Sequence, residues 1–438
     1  MKNHNLIWKL ISLLLAFILL FTFASCTKTE GGGTTEGKDV PPSPTVHTVY
    51  DGKTWNYTFV HAKDAGSGSL QYIGDFYKIL TAFANDLPYY KNDALYLDQT
   101  IDPEEPEFLL GATNRAESEK LMSDLAAAGG ERFGVYTTDR KIAVAGTSAY
   151  MIYYALHYVL DTYITEEDGV TTFTVPANAE YISEEYHPIT DFAEAKESGV
   201  ELAFFVKRTV AKIANPATSF KTLQGGGTDG TYAYYCVINS SNEQAIILKY
   251  DLATWELVKT SEPLPLGHAN DIAYDPINHR LLISDCTTKD NYRGTCVVDP
   301  DTLEFQSYFV APVSHRAIEY LPETGQYLLA KGYHFSILDA NLKTELRSFN
   351  CGFGKYTTQG MCADGKYVYD VRWNSGAQVQ TIVVHSLDGT YYGGIDFFGT
   401  SGEPENIFRY GDVFYVGFNQ TTKCVVEVEL CPISLNYQ

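Results

Sequence analysis

Ten polar residues fall in five short clusters along the second half of the chain. Gln224 stands in Leu223-Gln224-Gly225; His268, Asn270 and Asp271 stand in Gly267-His268-Ala269-Asn270-Asp271; and His315 and Arg316 follow Ser314. Gln359 stands in Thr358-Gln359-Gly360, and Glu403, Glu405 and Asn406 surround Pro404. Amides and carboxylates accept from hydroxyls, while Arg and His donate, so such a set could orient a small, hydroxyl-rich ligand. Asp271, Glu403 and Glu405 could also supply the two carboxylates, about 5–10 Å apart, that glycoside hydrolysis needs. In that case Arg316 would bind substrate. His268 and His315 with Glu403 and Glu405 could hold a divalent metal, although each histidine reads more simply as a hydrogen-bonding side chain, and no metal site is assigned. The bland alternative is that all ten bond neighbouring backbone and hold strands in register. Their variety favours a ligand, because a structural device would repeat itself.

For these clusters to act together, the chain must bring them to one place, and a repeat supplies the means. After each cluster comes an apolar run, a turn and an alternating strand. Asp229-Gly230 leads to Tyr232, Asn278-His279-Arg280 to Leu281, Thr324-Gly325 to Tyr327, Asp364-Gly365 to Tyr367, and Tyr410-Gly411-Asp412 to Val413. These anchors lie 49, 46, 40 and 46 residues apart. A second landmark keeps the same beat at Asp251, Asp299, Asp339 and Asp388, each at a turn between strands. Four short strands every 40 to 50 residues, with no helix between, fit the blades of a β-propeller. Five blades are expected, or six if residues 202–219 contribute strands, and residues 424–429 could complete a blade begun earlier. The five clusters would then meet at the axial mouth of the ring. Gly225-Gly226-Gly227 reads as a conformational device at a strand start, not a phosphate loop.

Residues 50–182 read differently, as alternating strands and helices. Leu70, Ile73, Phe76, Leu80, Phe83 and Leu87 step by three and four, as on one helix face. Phe108-Leu109-Leu110 is a short buried strand, and Thr113 or Asn114 can cap the helix through Leu121 and Leu125. Asp139-Arg140 turns a hairpin, and Ile152, Leu156, Val159 and Tyr163 mark a third helix. The expected fold is therefore an α/β N-terminal sandwich domain over residues 50–190, followed by an all-β propeller over 191–438.

The N-terminus implies export. Lys2 and Lys9 precede an apolar or small run from Leu10 to Phe23. Those 14 residues would span about 21 Å as a helix, short of the roughly 30 Å of a bilayer core. That layout is an export signal over residues 1–25. Residues 26–49 hold Gly31-Gly32-Gly33 and Pro41-Pro42-Ser43-Pro44, too little apolar surface to order, and read as a disordered tether. About 410 residues then remain, which suits two domains. Acids outnumber bases 54 to 32, for a net charge of −22, and loss of Lys2 and Lys9 makes the balance more negative. Nucleic acid and anionic lipid surfaces are poor partners for such a chain. Besides Cys26 there are Cys236, Cys286, Cys296, Cys351, Cys362, Cys424 and Cys431, with no Cys-x-x-Cys pair. Buried free thiols are favoured over bridges within 286/296, 351/362 or 424/431.

Three resemblances follow from these residues. Phe23-Ala24-Ser25-Cys26 is similar to the lipobox of bacterial lipoproteins, with Phe23 where that family usually has Leu. The resemblance implies acyl chains on Cys26, palmitate among them, and an extracytoplasmic protein lipid-anchored to the cell membrane. Residues 110–118, Leu-Gly-Ala-Thr-Asn-Arg-Ala-Glu-Ser, followed by Lys141-Ile142-Ala143-Val144-Ala145-Gly146, resemble the N-terminal accessory domain of α-glucuronidases and β-hexosaminidases. That domain does not catalyse, and no barrel-length segment follows here, so the resemblance implies a glycan context without hydrolase activity. Gly267-His268-Ala269-Asn270-Asp271, the Gln-Gly pairs at Gln224 and Gln359, and Glu403-Pro404-Glu405 resemble secreted five-bladed propellers of the helveticin-like sort.

Three functions stay open at this point. The leading one is a surface lipoprotein binding glycan or cell-wall material. The others are a propeller glycosidase or polysaccharide lyase using Asp271, Glu403 and Glu405, and a scaffold for a protein partner. Gly-x-Ser-x-Gly, His-Glu-x-x-His and a phosphate-binding Gly-rich loop before a helix are all missing, and no cofactor is expected.

Overall fold

The computed structural model describes residues 46–84, 86–88, 90–93, 104–213, 219–419 and 422–435. The export signal, Cys26 and residues 27–45 of the expected tether lie outside the described residues. Val46–Tyr50, at the end of that tether, is a strand; it pairs antiparallel with Val170–Pro176, which pairs in turn with Ile164–Glu167. No described helix is long and apolar enough to cross a membrane.

Alternation along the strands decides how the α/β layer is covered. Six strands run in the order Lys91–Asn92, Thr58–His61, Glu107–Leu110, Lys141–Gly146, Phe133–Thr137, Glu180–Ile182. The first four are parallel and the last two antiparallel. Val60, Leu109, Ala143 and Ala145 face helix α2 (Ala116–Ala128), where they meet Leu121 and Leu125. Phe59, Phe108, Ile142 and Val144 face the other way, towards helices α1 (Ser67–Phe83) and α3 (Ala149–Tyr163). The expected face of α1 is partly corrected. Ile73, Phe76 and Leu80 are buried with Tyr72, but Leu70 is exposed. The expected cap of α2 is also corrected. Arg115 occupies the N-cap with no side-chain cap bond, while Thr113 bonds the Ser118 hydroxyl at 2.7 Å. Arg115 instead turns to Glu107, donating from Nε at 2.9 Å and from NH2 at 2.8 Å, and Lys141 donates to the same carboxylate at 2.8 Å. Burial alone would push Glu107 up, but these two cations hold it below its ordinary value.

The rest of the chain is mostly β, in five small sheets, antiparallel except where Phe204–Phe205 pairs parallel with Phe397–Phe398. Sheets 1 to 4 each take four consecutive strands, within residues 220–260, 271–310, 317–350 and 357–395. Sheet 5 has Glu403–Tyr410, Val413–Asn419 and Cys424–Pro432, and then Leu202–Lys212, with Phe397–Phe398 on its far edge. Residues 202–212 thus join this last sheet as one strand and start no sheet of their own. The first strands neighbour one another in a cycle, each beside the next and Glu403–Tyr410 back beside Phe220–Thr228. This arrangement is compatible with a β-propeller.

The turns explain the beat in the sequence. Asp229 accepts from the backbone N–H groups of Thr231 and Tyr232 at 2.8 and 2.7 Å, and from the Tyr234 hydroxyl at 2.6 Å. Asp364 does the same with Lys366, Tyr367 and Tyr369. Asp251, Asp299, Asp339 and Asp388 close the far turns likewise, each accepting from N–H groups two to five residues on. Such turns fix a hairpin locally, before any distant contact forms.

First strands pack so closely that some positions admit no side chain. A Cβ on Gly225 would stand 2.7 Å from the Ala269 oxygen and 2.8 Å from the Asp271 nitrogen. The glycine run is therefore a close approach between sheets 1 and 2, as its place in a strand suggested.

The two layers share one core. A single apolar cluster holds Tyr72, Phe76 and Leu156 of the α/β layer with Phe204, Phe205, Tyr369, Phe414 and Val428 of sheets 4 and 5. Tyr72 donates its hydroxyl to the Pro432 oxygen and Ser67 to the Val206 oxygen, both at 2.5 Å. Each buried aromatic here contributes roughly 1.5–3 kcal/mol, so the layers are fused by packing and not joined by a loose linker. The seven described cysteines are buried, and no disulfide joins them.

Candidate functional site

Antiparallel pairing sends the loop leading into each first strand and the turn between the second and third strands to the same end of the sheet. The turns at Asp229 and Asp364 lie at the opposite end. The five clusters therefore gather at one end of the ring, and their hydrogen bonds cross it. Asn270 donates from Nδ2 to the main-chain oxygens of Arg316 at 3.0 Å and Gln359 at 2.6 Å. Asn406 donates to the Gln224 oxygen at 2.6 Å and accepts from the Gly417 N–H at 3.2 Å. Gln359 donates from Nε2 to Glu403 at 2.6 Å. Residues far apart in sequence are brought together, and Asn270 and Asn406 work as cross-braces.

Depth then sorts the set. Gln224, Asn270, Asp271, His315, Gln359, Glu405 and Asn406 are buried, whereas His268, Arg316 and Glu403 keep part of their surface. Asp271 accepts from the Ile318 N–H at 3.0 Å, and burial drives its carboxyl well above the usual range. Glu405 is raised in the same way by burial and by neighbouring Glu403, against hydrogen bonds from Asn419 and Gln224. Glu403 is raised by burial, with Gln359 opposing. Of the three carboxylates considered for acid and base roles, only Glu403 presents surface at the mouth.

His315 is fully buried; its Nε2 meets the Thr295 hydroxyl at 3.1 Å, and burial lowers its pKa to about 4. His268 is lowered by burial and by Arg316, with Asp285 opposing. Both rings are thus neutral near pH 7. Among the described residues no group of three or more His, Cys, Asp or Glu converges to hold a metal.

Four residues at or below this mouth escaped the sequence reading. Glu319 stands on the first strand of sheet 3, raised well above its usual range by burial and close enough to Asp271 to influence it. Its signal was an acid inside the apolar string Ala317-Ile318-Glu319-Tyr320-Leu321. Tyr292, Lys331 and Tyr333 lie in or next to turns between second and third strands. Those turns differ in length from sheet to sheet, so no repeat marked them. Tyr292 takes a left-handed conformation with φ 61°, and its oxygen accepts from the His315 N–H at 2.7 Å. Lys331 Nζ lies 4.3 Å and the Arg316 guanidinium 5.4 Å from the centre of its ring. Tyr333 is 51% exposed.

Known proteins add little to this geometry. No protein family matches the chain by sequence, and no curated protein does. Among solved structures, the hydrazine synthase of Kuenenia stuttgartiensis is 14% identical, with a TM-score of 0.30, over 48% of this chain and 58% of that one. An exo-β-1,3-galactanase from Phanerochaete chrysosporium, solved with β-1,3-galactotriose, is 12% identical, with a TM-score of 0.37, over 51% of this chain and 64% of that one. The chain thus spans less than two thirds of either protein. Neither likeness bears on its function.

A cleft of about 920 Å³ opens elsewhere, between the α/β layer and sheets 4 and 5. It lies outside the carboxyl ends of the parallel strands, a common place for ligands. Several of its charged groups, however, are already engaged. Glu131 accepts from Thr147 and Ser148, Glu427 pairs with Lys207 and Arg208, and Asp191 pairs with Lys366. Glu429 accepts from the Ala149 N–H at the start of α3. Of these, the Asp191–Lys366 pair and the Glu429–Ala149 bond tie the α/β side of the cleft to sheets 4 and 5. The axial mouth, with Arg316, His268 and Glu403 at its surface, is the better candidate.

Proposed function

We propose that the chain is a surface lipoprotein, anchored through Cys26, whose five sheets are the blades of a propeller and whose axial mouth binds a glycan or cell-wall-derived saccharide. The α/β layer is then the accessory domain that carries the ring. One observation supports the reading above others: His268, Arg316 and Glu403, drawn from three different sheets or their lead-in loops, keep surface at the end of the ring where the clusters gather, with Arg316 over the Tyr292 ring and half-exposed Tyr333 in a turn at the same end. A cation, a neutral imidazole and a carboxylate supply donors and acceptors, and aromatic faces suit the C–H surfaces of a sugar ring. A glycan panel probed with the full chain tests it. Binding that Arg316→Ala or Glu403→Gln removes, with the unfolding midpoint unchanged, is expected; binding indifferent to both would end the proposal. For the anchor, Cys26→Ser moves the protein from the membrane fraction to the soluble one.

A hydrolase reading rests on Glu403 beside Glu405, both held towards the protonated form that a general acid requires. Sugar release lost in Glu403→Gln, with binding retained, would favour it.

A further inference from the structure

We propose that the axial mouth selects saccharides carrying a negative substituent, a carboxylate or a sulfate, and that the anion sits beside Tyr292 between Arg316 and Lys331. The proposal rests on the axial-mouth reading above and adds the substrate class.

Positive charge is scarce in this chain, which carries a net charge of −22. Several of its cations find carboxylates, as Arg280 does with Asp275, Arg372 with Asp370, Arg208 with Glu427 and Arg409 with Asp364. Arg316 and Lys331 do not. Among the described residues neither has a carboxylate within 4.0 Å. Both instead lie over one aromatic ring, that of Tyr292. Two like charges held around a single ring repel each other, and an anion bridging them removes that cost.

An acid of the same neighbourhood, Asp285, which acts with Arg316 on His268 and Cys286, is already engaged. Asp285 is 4% exposed, accepts from the Thr287 N–H at 2.9 Å and takes the Tyr308 hydroxyl at 3.2 Å. The positive field is visible in the surroundings: Arg316 acts on His268, Lys331 acts on His315, and both act on Cys286.

The seat is also held firmly. Asn270 grips the Arg316 main chain from below, its own Oδ1 being buried without a partner among the described residues. The Tyr292 backbone is tied to His315 and to the Thr287 oxygen at 3.0 Å. A platform whose backbone is already fixed loses little freedom when a ligand arrives, which favours affinity.

The experiment uses the full chain in detergent with four probes: an oligogalacturonate, its methyl ester, a neutral oligosaccharide and the sulfated form of that oligosaccharide. Acid and sulfated forms are expected to bind about tenfold tighter than their neutral counterparts, a difference of about 1.4 kcal/mol. That preference should shrink with added salt and disappear in Arg316→Met/Lys331→Met, which binds acid and ester alike. Equal binding of acid and ester overturns this proposal while leaving the glycan reading intact. If no saccharide binds, the glycan reading fails; inorganic sulfate raising Tm in the wild type but not in the double variant would then show the anion seat without the sugar.

Discussion

Asn406 on the last first-strand donates its Nδ2 to the main-chain oxygen of Gln224 on the earliest one, at 2.6 Å. This bond sits where the cycle of sheets meets itself, with both residues buried. Replacing Asn406 with Leu removes the donor and leaves a buried carbonyl unpaired. The expected loss is about 1–3 kcal/mol, together with overpacking against Gly226 and Gly417, whose added Cβ would already stand 2.6 Å from this side chain. Urea unfolding measures it; an unchanged midpoint would mean that the cycle does not depend on this brace.

Gly225→Ala should be worse than any surface change in the same sheet. Its methyl meets three backbone atoms under 3.0 Å away, and backbone cannot swing aside as a flexible side chain can. Overpacking of this kind costs roughly 1–3 kcal/mol and sometimes more. Gly230→Ala, with nothing within 4 Å but φ at +86°, gives the control for backbone strain alone. Near-equal losses in the two variants would contradict the tight approach of sheets 1 and 2.

Arg372 and Asp370 form an ion pair at 2.6 Å with neither side chain exposed. The same guanidinium donates to the oxygens of Phe353 at 2.7 Å, Lys355 at 3.1 Å and Gly332 at 2.6 Å, fixing two loops near the mouth. Arg372→Met strands a buried carboxylate and should cost about 3–5 kcal/mol. Asp370→Leu with Arg372→Met should recover part of that stability, yet still weaken ligand binding, because the loop carbonyls have lost their donor. Full recovery of both properties would show that Arg372 does not position the mouth.

Acid should destabilise the fold through two histidines. Burial lowers His315 and His385 to about 4 from 6.5. Between those values the unfolded chain binds more protons than the folded one, so stability falls as pH drops from about 6.5 towards 4. Each ring contributes roughly 1–3 kcal/mol to that slope. Asp271, Glu319 and Glu405 are shifted upward, so they act in the opposite sense as pH rises. The readout is therefore the difference between wild type and His315→Gln/His385→Gln across pH 4–7. Parallel curves would show that these rings titrate normally.

Periodicity carried much of the architecture. The anchors Tyr232, Leu281, Tyr327, Tyr367 and Val413 each begin a second strand or stand next to its first residue. The aspartates of the second landmark close the far turns, since an Asp that bonds its own backbone leaves a local mark in the sequence. The hairpin at Asp139-Arg140 and helix α3 were legible for the same reason. What was not legible depends on distance. The pairing of Leu202–Lys212 with Cys424–Pro432 leaves no local trace. Thr113 and Asn114 have the chemistry of caps, but a buried carboxylate at Glu107 draws Arg115 inward and shifts the start of α2.

The site divides along the same line. Which residues share a neighbourhood followed from the repeat, since equivalent positions must converge if the cycle closes. Which of them face solvent did not follow. Asp271 and Glu405 look like functional acids in the sequence, yet they sit beneath the mouth because the strands that carry them point inward. Tyr292 and Lys331 sit in or beside turns of irregular length, where no pattern could mark them.

Leu202 lies opposite Pro432 in the sheet that finishes the cycle. Synthesis from the N-terminus therefore delivers one half of this seam early and the other half late. Until residues 424–432 are made, the strand at 202–212 is an open edge that other chains can pair with. Long-range pairing of this kind slows folding, so the cycle locks only after its late strand has arrived.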